Sequence, residues 1–389
     1  MKRKSRSFLS VILIVVISFC AGFFANSFIG NSSLTFRQAQ TLKQATRIIE
    51  KNGINEYNSD LTVDYALKGM AASLDDPYAY YFTKDELVEY NNTVSGVVEG
   101  GIGIQLTQVE GKYIVSSVYT GLTAKEAGMM PGDEIIKIDD KKTSDDFDAV
   151  SQAIQGEVGT KVKITVLRGG KELSFNVLRS NGQRQMTEYS MIENTGILYI
   201  KIIAFRGNVV EYFKKAIEFG EKNNYKSILF DLRNNGGGEI TLLGEITDIL
   251  LPKAETFYAL DRHGNKIKSI MSDENHIDKP MCVLVNGNSA SASESFAGAL
   301  RDIANAKIVG VKTYGKGIMQ TSYTLLNGGV FKLTTGKYYL PSGECIHETG
   351  ITPEYKVELS EELTKKYWLL NSENDLQLKK GIELLTSNL

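Results

Sequence analysis

Residues 286–320 read NGNSASASESFAGALRDIANAKIVGVKTYGKGIMQ, and they predict a strand-to-helix turn, a second strand and a glycine loop. Just upstream, Met281–Val285 (MCVLV) is a short continuous apolar run, the pattern of a buried strand. Asn286-Gly287 turns the chain, and small residues then open a helix whose Phe296, Ala299, Leu300 and Ile303 share one apolar face. A serine at such a turn gains from the helix N-terminus, where backbone N–H groups can bind a developing oxyanion. The same spacing, Ser291-x-x-Glu294, is also a capping box, in which the serine merely satisfies orphan N–H groups. On spacing alone both readings stand.

A hydroxyl is a poor nucleophile until a base takes its proton. The histidines are His263, His276 and His347, and the first two lie in polar loops that read as solvated. A lysine serves as base if burial lowers its pKa from about 10.4 toward 7–8. Lys316 lies in the loop Tyr314-Gly315-Lys316-Gly317-Ile318, just after the apolar run Ile308–Val311. Its flanking glycines let the backbone pass close to other segments.

SASASE, TYGKGIMQ and the upstream DLRNNGGG together resemble the carboxyl-terminal processing peptidases, or tail-specific proteases. The resemblance spans nearly the whole chain. It implies a Ser–Lys dyad in which Ser291, before Ala-Ser-Glu, is the nucleophile and Lys316, 25 residues on, is the base. It also implies that Gln320 orients the lysine, and that the N–H groups of Gly237 (or Gly236) and Ala292 form the oxyanion hole. The glycine run Gly236–Gly238 is not a phosphate loop, because no lysine closes a G-x-x-x-x-G-K-[ST] pattern. The segment around Glu344-Cys345 departs mildly from the family, which commonly has a basic or small residue there. That departure bears on substrate preference rather than on the chemistry.

The same resemblance extends upstream. Asp76–Phe82 (DPYAYYF) is similar to a signature the family carries ahead of its PDZ domain, and Gly96–Arg179 resembles that domain. Gly101-Ile102-Gly103-Ile104 matches the PDZ carboxylate loop, followed by the short helix and turn of Ala124–Ile135, a helix at Asp146–Gln155 and the strand KVKITVLR. Free N–H groups of Ile102, Gly103 and Ile104 would capture a peptide's C-terminal carboxylate while the peptide adds as a strand.

The chain has 389 residues, too many for one ordinary core, and its 44 basic against 46 acidic side chains argue against a nucleic-acid partner. Cys20, Cys282 and Cys345 form neither a disulfide framework nor a metal-ligand spacing, and no cofactor or metal is expected. Lys2–Arg6 is basic, and the uncharged run that follows is long enough for a bilayer span of about 20 residues. An uncleaved anchor is expected in a bacterial-type membrane, with the bulk of the protein on the extracytoplasmic side; a cleaved leader is the rival. Phe19 before Cys20 is a poor fit to a lipoprotein cleavage box. Leu34–Asn92 reads as helical, with Leu34, Leu42, Ala45, Ile48 and Ile49 on one stripe, as in a spacer or an arm that pairs copies into a homo-oligomer.

The expected order is an anchor (1–30), a helical region (31–95), a PDZ domain (96–180), a protease core (181–356) and a helical tail (357–389). A polar linker, Ser180–Glu188, should separate the PDZ domain from the core. The fold class is multidomain α/β, with a core of the crotonase-like and Clp-protease-like kind. The implied function is that of a serine endopeptidase acting on protein or peptide substrates recognised by their C-termini. An acyl-CoA hydratase-like enzyme would share the core fold but needs neither a PDZ domain nor an anchor. A PDZ scaffold with an inert core would be free to lose Ser291, Lys316 and Gln320.

Overall fold

The structure is a computed structural model describing residues 35–387, so the anchor expected in residues 1–30 lies outside it. Among the described residues no helix is long and apolar enough to cross a membrane. The chain divides into two compact units, Met1–Gly69 and Met70–Leu389. In the first, Thr35 and Gln38 cap the helix Phe36–Asn52 reciprocally, and Asn58 accepts the Leu61 N–H as the helix Ser59–Ala72 begins. The helical reading of this segment holds, but Leu42, Ile48 and Ile49 of the expected stripe are exposed.

In the second unit the larger core is built on a six-stranded sheet. Its strands lie in the order Thr187–Ile192, Ile197–Ile202, Ser227–Asp231, Met281–Val285, Lys307–Gly310 and Tyr355–Lys356. The first pair is antiparallel and the rest are parallel. Parallel neighbours need long crossovers, and the helices Val209–Lys222, Ile240–Leu250 and Ala292–Ala304 lie within them. Strands covered on both faces read as unbroken apolar runs, and Met281–Val285 is buried at every residue. One face carries the main core, with Phe213, Phe230 and Phe296. The other is closed by the tail helix Leu376–Thr386, whose Leu385 joins Leu229, Cys282 and Leu284.

A second, antiparallel sheet holds the hairpin Glu255–Leu260/Lys266–Met271, the long strand Val330–Tyr339, its partner Ile318–Thr324, and Tyr80–Phe82. Tyr80–Phe82 corrects the helical reading of Leu34–Asn92. The helix ends at Ala72 and Asp75 takes φ 51°, ahead of Pro77, and the aromatic run that follows suits a pleated surface, where it pairs with Val330–Lys332. Helix resumes at Lys84–Ser95.

The PDZ sheet runs Ile104–Val109, Lys112–Val118, Glu134–Ile138, Lys161–Arg168 and Lys171–Leu178, with the helix Phe147–Ile154 beside it. The expected polar linker is replaced by structure. Ser180–Gln183 pairs antiparallel with Val97–Gly101, so the chain enters and leaves the PDZ domain through one two-stranded ribbon, and Thr187 already opens the core sheet. Backbone pairing, which side-chain polarity does not report, decides this segment.

Candidate active site

Strand Met281–Val285 ends at a turn that delivers Ser291 to the N-terminus of the helix Ala292–Ala304. Three neighbouring hydroxyls are separated by what they touch. Ser289 Oγ donates to Leu232 O at 2.8 Å and Ser293 Oγ to Asn235 O at 2.8 Å, both fully buried and both structural. Ser291 is partly exposed and holds φ 60° and ψ −120°, a conformation costly for any residue with a Cβ. Strain of this kind at a strand-to-helix turn thrusts a nucleophile out of the backbone.

Glu294 ties this turn to the lysine loop. Its buried carboxylate accepts the N–H of Ser291 at 2.8 Å, completing one half of the predicted capping box. It also accepts Thr313 Oγ1 at 2.5 Å and the N–H groups of Gly315 at 2.7 Å and Lys316 at 2.9 Å. Four donors thus converge on one side chain, and two motifs distant in sequence become one structure. Tyr338 adds a second tie: its hydroxyl donates to Lys316 O and faces the side chains of Ser291 and Ser295. Burial holds that phenol well above its ordinary pKa, so it stays a donor.

The Lys316 amine is half-buried, with Nζ 4.2 Å from the centroid of the Tyr78 ring. Burial lowers its pKa, and repulsion from Lys332 and Arg206 adds to the shift, while Asp76 opposes it. The Tyr78 phenol is pushed up to about 12, first by its hydrogen bond with Tyr314 and then by burial. Among the described residues no hydrogen bond joins Lys316 Nζ to Ser291 Oγ, and such bonds often form fully only with substrate bound. Gln320, on strand Ile318–Thr324, donates from Nε2 to Thr334 Oγ1 at 3.3 Å; the structure brings its amide to Thr334 rather than to the amine.

The glycine turn packs directly on the serine. Gly237 has φ +97°, and a Cβ there would meet Ser291 Cβ at 2.7 Å and Ala292 N at 2.9 Å, so no other residue fits. Its N–H donates to Asn235 Oδ1 at 2.9 Å, while the N–H groups of Gly236 and Ala292 have no acceptor among the described residues. Asn235 is fully buried, and its Nδ2 anchors the turn to Ile202 O at 2.8 Å. Below the turn, Arg233 is clasped by Asp231 at 2.6 Å and Asp375 at 2.9 Å, which fastens the strand end to the tail helix. Burial pushes the Asp231 carboxyl up, but the Arg233 guanidinium outweighs it and the net shift is downward.

In the PDZ domain, Ile102–Ile104 border a groove of ≈ 430 Å³ between the edge strand Ile104–Val109 and the helix residues Phe147, Ser151 and Ile154. The carbonyls of Ile102 and Gly103 accept Ala124 N–H at 2.8 Å and Tyr119 N–H at 2.9 Å. Among the described residues the N–H groups of Ile102 and Gly103 have no acceptor, whereas Ile104 opens the edge strand opposite Val118. Sequence reasoning reached Glu294 as a cap partner and missed its hold on the lysine loop. It also missed Tyr338 and Arg206, which reach the site by tertiary folding and carry no motif of their own, and it read Tyr78 as part of the DPYAYYF signature without placing it beside Lys316.

The peptidase family S41 profile matches residues 196–357 and the PDZ domain profile residues 100–178. The chain is 33% identical over 368 residues to a probable CtpA-like serine protease of Staphylococcus haemolyticus (strain JCSC1435), covering 92% of this chain and 73% of that one. It is 31% identical over 370 residues to the carboxy-terminal processing protease CtpA of Bacillus subtilis (strain 168), covering 92% and 78%. In fold it is similar to the photosystem II D1 C-terminal processing protease, with a TM-score of 0.51 and 24% identity over 82% of this chain and 86% of that one. A putative S41 protease from Bacteroides fragilis gives a TM-score of 0.60 at 13% identity, over 89% and 97%. Identity at this level across both domains establishes the family: the chain belongs to peptidase family S41 and is a serine-type carboxyl-terminal processing peptidase.

Proposed function

We propose that the peptidase works through a Ser291–Lys316 dyad on substrates whose C-termini enter the PDZ groove. The observation that carries this reading is the Glu294 carboxylate, which holds the turn before Ser291 and the loop of Lys316 by their backbone N–H groups. Lys316 Nζ takes the proton of Ser291 Oγ as the oxygen attacks the scissile carbonyl. The resulting oxyanion is met by Ala292 N–H and the glycine turn, through Gly236 N–H or through Gly237 N–H released from Asn235. The proton then passes to the leaving amine, and water hydrolyses the Ser291 ester. The lowered pKa of Lys316 supports its part as base. Gln320 would reach the lysine only by exchanging Thr334 Oγ1 for the amine.

Ser291→Ala tests the assignment. Cleavage of a protein substrate should fall to background, and a fluorophosphonate probe that labels the wild-type protein at Ser291 should leave the variant unlabelled. Cleavage near the wild-type rate, or labelling at another serine, would sink the nucleophile. For the cell, we propose a single-pass anchor in residues 1–30 with the catalytic domain outside; protease added to intact spheroplasts should then degrade residues 35–387.

A further inference from the structure

Arg206 follows Phe205, whose backbone is bridged to Gly238 and whose N–H donates to Gly237 O at 3.0 Å. The carbonyl of Phe205 accepts Glu239 N–H at 2.8 Å, so Arg206 is pinned beside the glycine turn that packs on Ser291. Its Nε is buried and has no acceptor among the described residues. Two cations lie within its reach: Arg206 repels both Lys316 and Arg184. Arg184 Nε is likewise buried without an acceptor, and its guanidinium stacks 3.6 Å from the ring centroid of Tyr119, which lines the PDZ groove. Glu188, whose Oε1 accepts Thr120 Oγ1 at 3.4 Å, attracts Arg184 and supplies part of its counter-charge.

A buried guanidinium donor left unmade is unfavourable, the more so with another cation near it, and an arriving anion would relieve it. A planar guanidinium is matched in shape by a carboxylate, which it can hold through two parallel hydrogen bonds. Arg184 and Arg206 mark a path from the margin of the peptide groove to the side of the nucleophile. A polypeptide running between the two brings peptide groups, which carry no charge, and carboxylates, which do.

We propose that Arg206 is a specificity-determining residue that receives a carboxylate of the bound polypeptide beside the scissile bond, with Arg184 flanking it toward the PDZ domain. The carboxylate is an aspartate or glutamate side chain, or the free chain end when cleavage falls close to it. This rests on the peptidase reading of the same site.

Dephosphorylated β-casein digested by the wild-type protein and by Arg206→Gln, with cut bonds mapped by mass spectrometry, tests it. The wild type should show Asp, Glu or a free terminus enriched at least threefold at one fixed position flanking the cut. Arg206→Gln should abolish that enrichment, and Arg206→Lys should retain part of it. Because enrichment is a ratio within each digest, a change in overall rate does not enter. A synthetic casein peptide, compared as free acid and as C-terminal amide, separates a chain end from a side chain. A flat profile in the wild type, or an enrichment unchanged in Arg206→Gln, overturns the proposal. Absence of any Ser291-dependent cutting would instead sink the peptidase reading. The carboxylate site is then judged by fluorescence anisotropy of fluorescein-labelled decapeptides, one with Glu and one with Gln at the same position, binding to Ser291→Ala. Threefold tighter binding of the Glu peptide, lost on adding Arg206→Gln, supports the site, and equal binding refutes it.

Discussion

At the scale of single residues, Lys316 shows how folding fits an ordinary side chain for the base role proposed for it. The forces lowering its pKa are burial and the charges of Lys332 and Arg206; Asp76 works against them, and the face of the Tyr78 ring also favours the charged amine. As the proposed base the amine acts when neutral, so kcat/KM should climb with pH and level off below the ordinary lysine value of about 10.4. Lys332→Gln removes a repelling cation, so more of the amine stays protonated and the acid limb should move to higher pH. A limb that stays put or moves down would mean that another group sets it. Lys316→Arg keeps the charge but cannot give up its proton near neutrality, and the loss of a general base corresponds to about 10²–10⁴ in rate. An Lys316→Arg protein with wild-type turnover of a peptide substrate would remove the base role.

At the scale of elements, the placement of the catalytic turns depends on a buried ion cluster. Arg233 satisfies Asp231 on the central sheet and Asp375 at the start of the tail helix, with Gln377 Oε1 at 3.2 Å and the Tyr199 hydroxyl on Asp231 at 2.8 Å. Arg233→Met strands two buried carboxylates, and breaking such a cluster costs about 3–5 kcal/mol. Urea unfolding should show that loss; a midpoint within error of the wild type would mean that water or neighbours reach the carboxylates. The lowered Asp231 pKa also stabilises the fold above the unfolded value of about 3.9, and that contribution fades as the pH falls below it.

These elements differ in how openly the sequence announces them. SASASE and TYGKG are short and local, and their apolar flanking strands follow a simple pattern, so the strand-to-helix turn and the glycine loop were legible, whereas spacing alone left Ser291 between cap and nucleophile. Tyr80–Phe82 was not, because a three-residue strand has no period to read and its partners begin at Val330. Glu294 was half legible: its cap lies three residues back, whereas its hold on Thr313, Gly315 and Lys316 exists after folding alone. Arg233 looked like part of a glycine-turn motif, since nothing near it in sequence points to Asp375.

For the molecule as a whole, the PDZ domain is an insertion held at both ends. Arg184 N–H bonds to Gly96 O at 3.0 Å, so its entry and exit lie side by side and Gly96–Arg179 can be replaced by a short linker. If the groove binds a terminal carboxylate, amidating a substrate's C-terminus should cost roughly ten- to a hundredfold in affinity, the worth of one charge-assisted hydrogen bond. Deleting the domain should erase that difference and, if the domain gates the core, raise cleavage of short peptides. An acid–amide difference that survives deletion would place the carboxylate elsewhere.

The pairing of Tyr80–Phe82 with Val330–Lys332 also sets a clock. A chain emerges N-terminus first and folds as its units are completed, and the PDZ pairing is complete by Gln183. The protease is not. Its base loop at Lys316 waits for Tyr338 to hold Lys316 O, and Arg233 waits for Asp375, in the last few turns of the chain. On the ribosome the PDZ pairing therefore closes well before Tyr338 and Asp375 emerge, and the proposed dyad is the later of the two to be assembled.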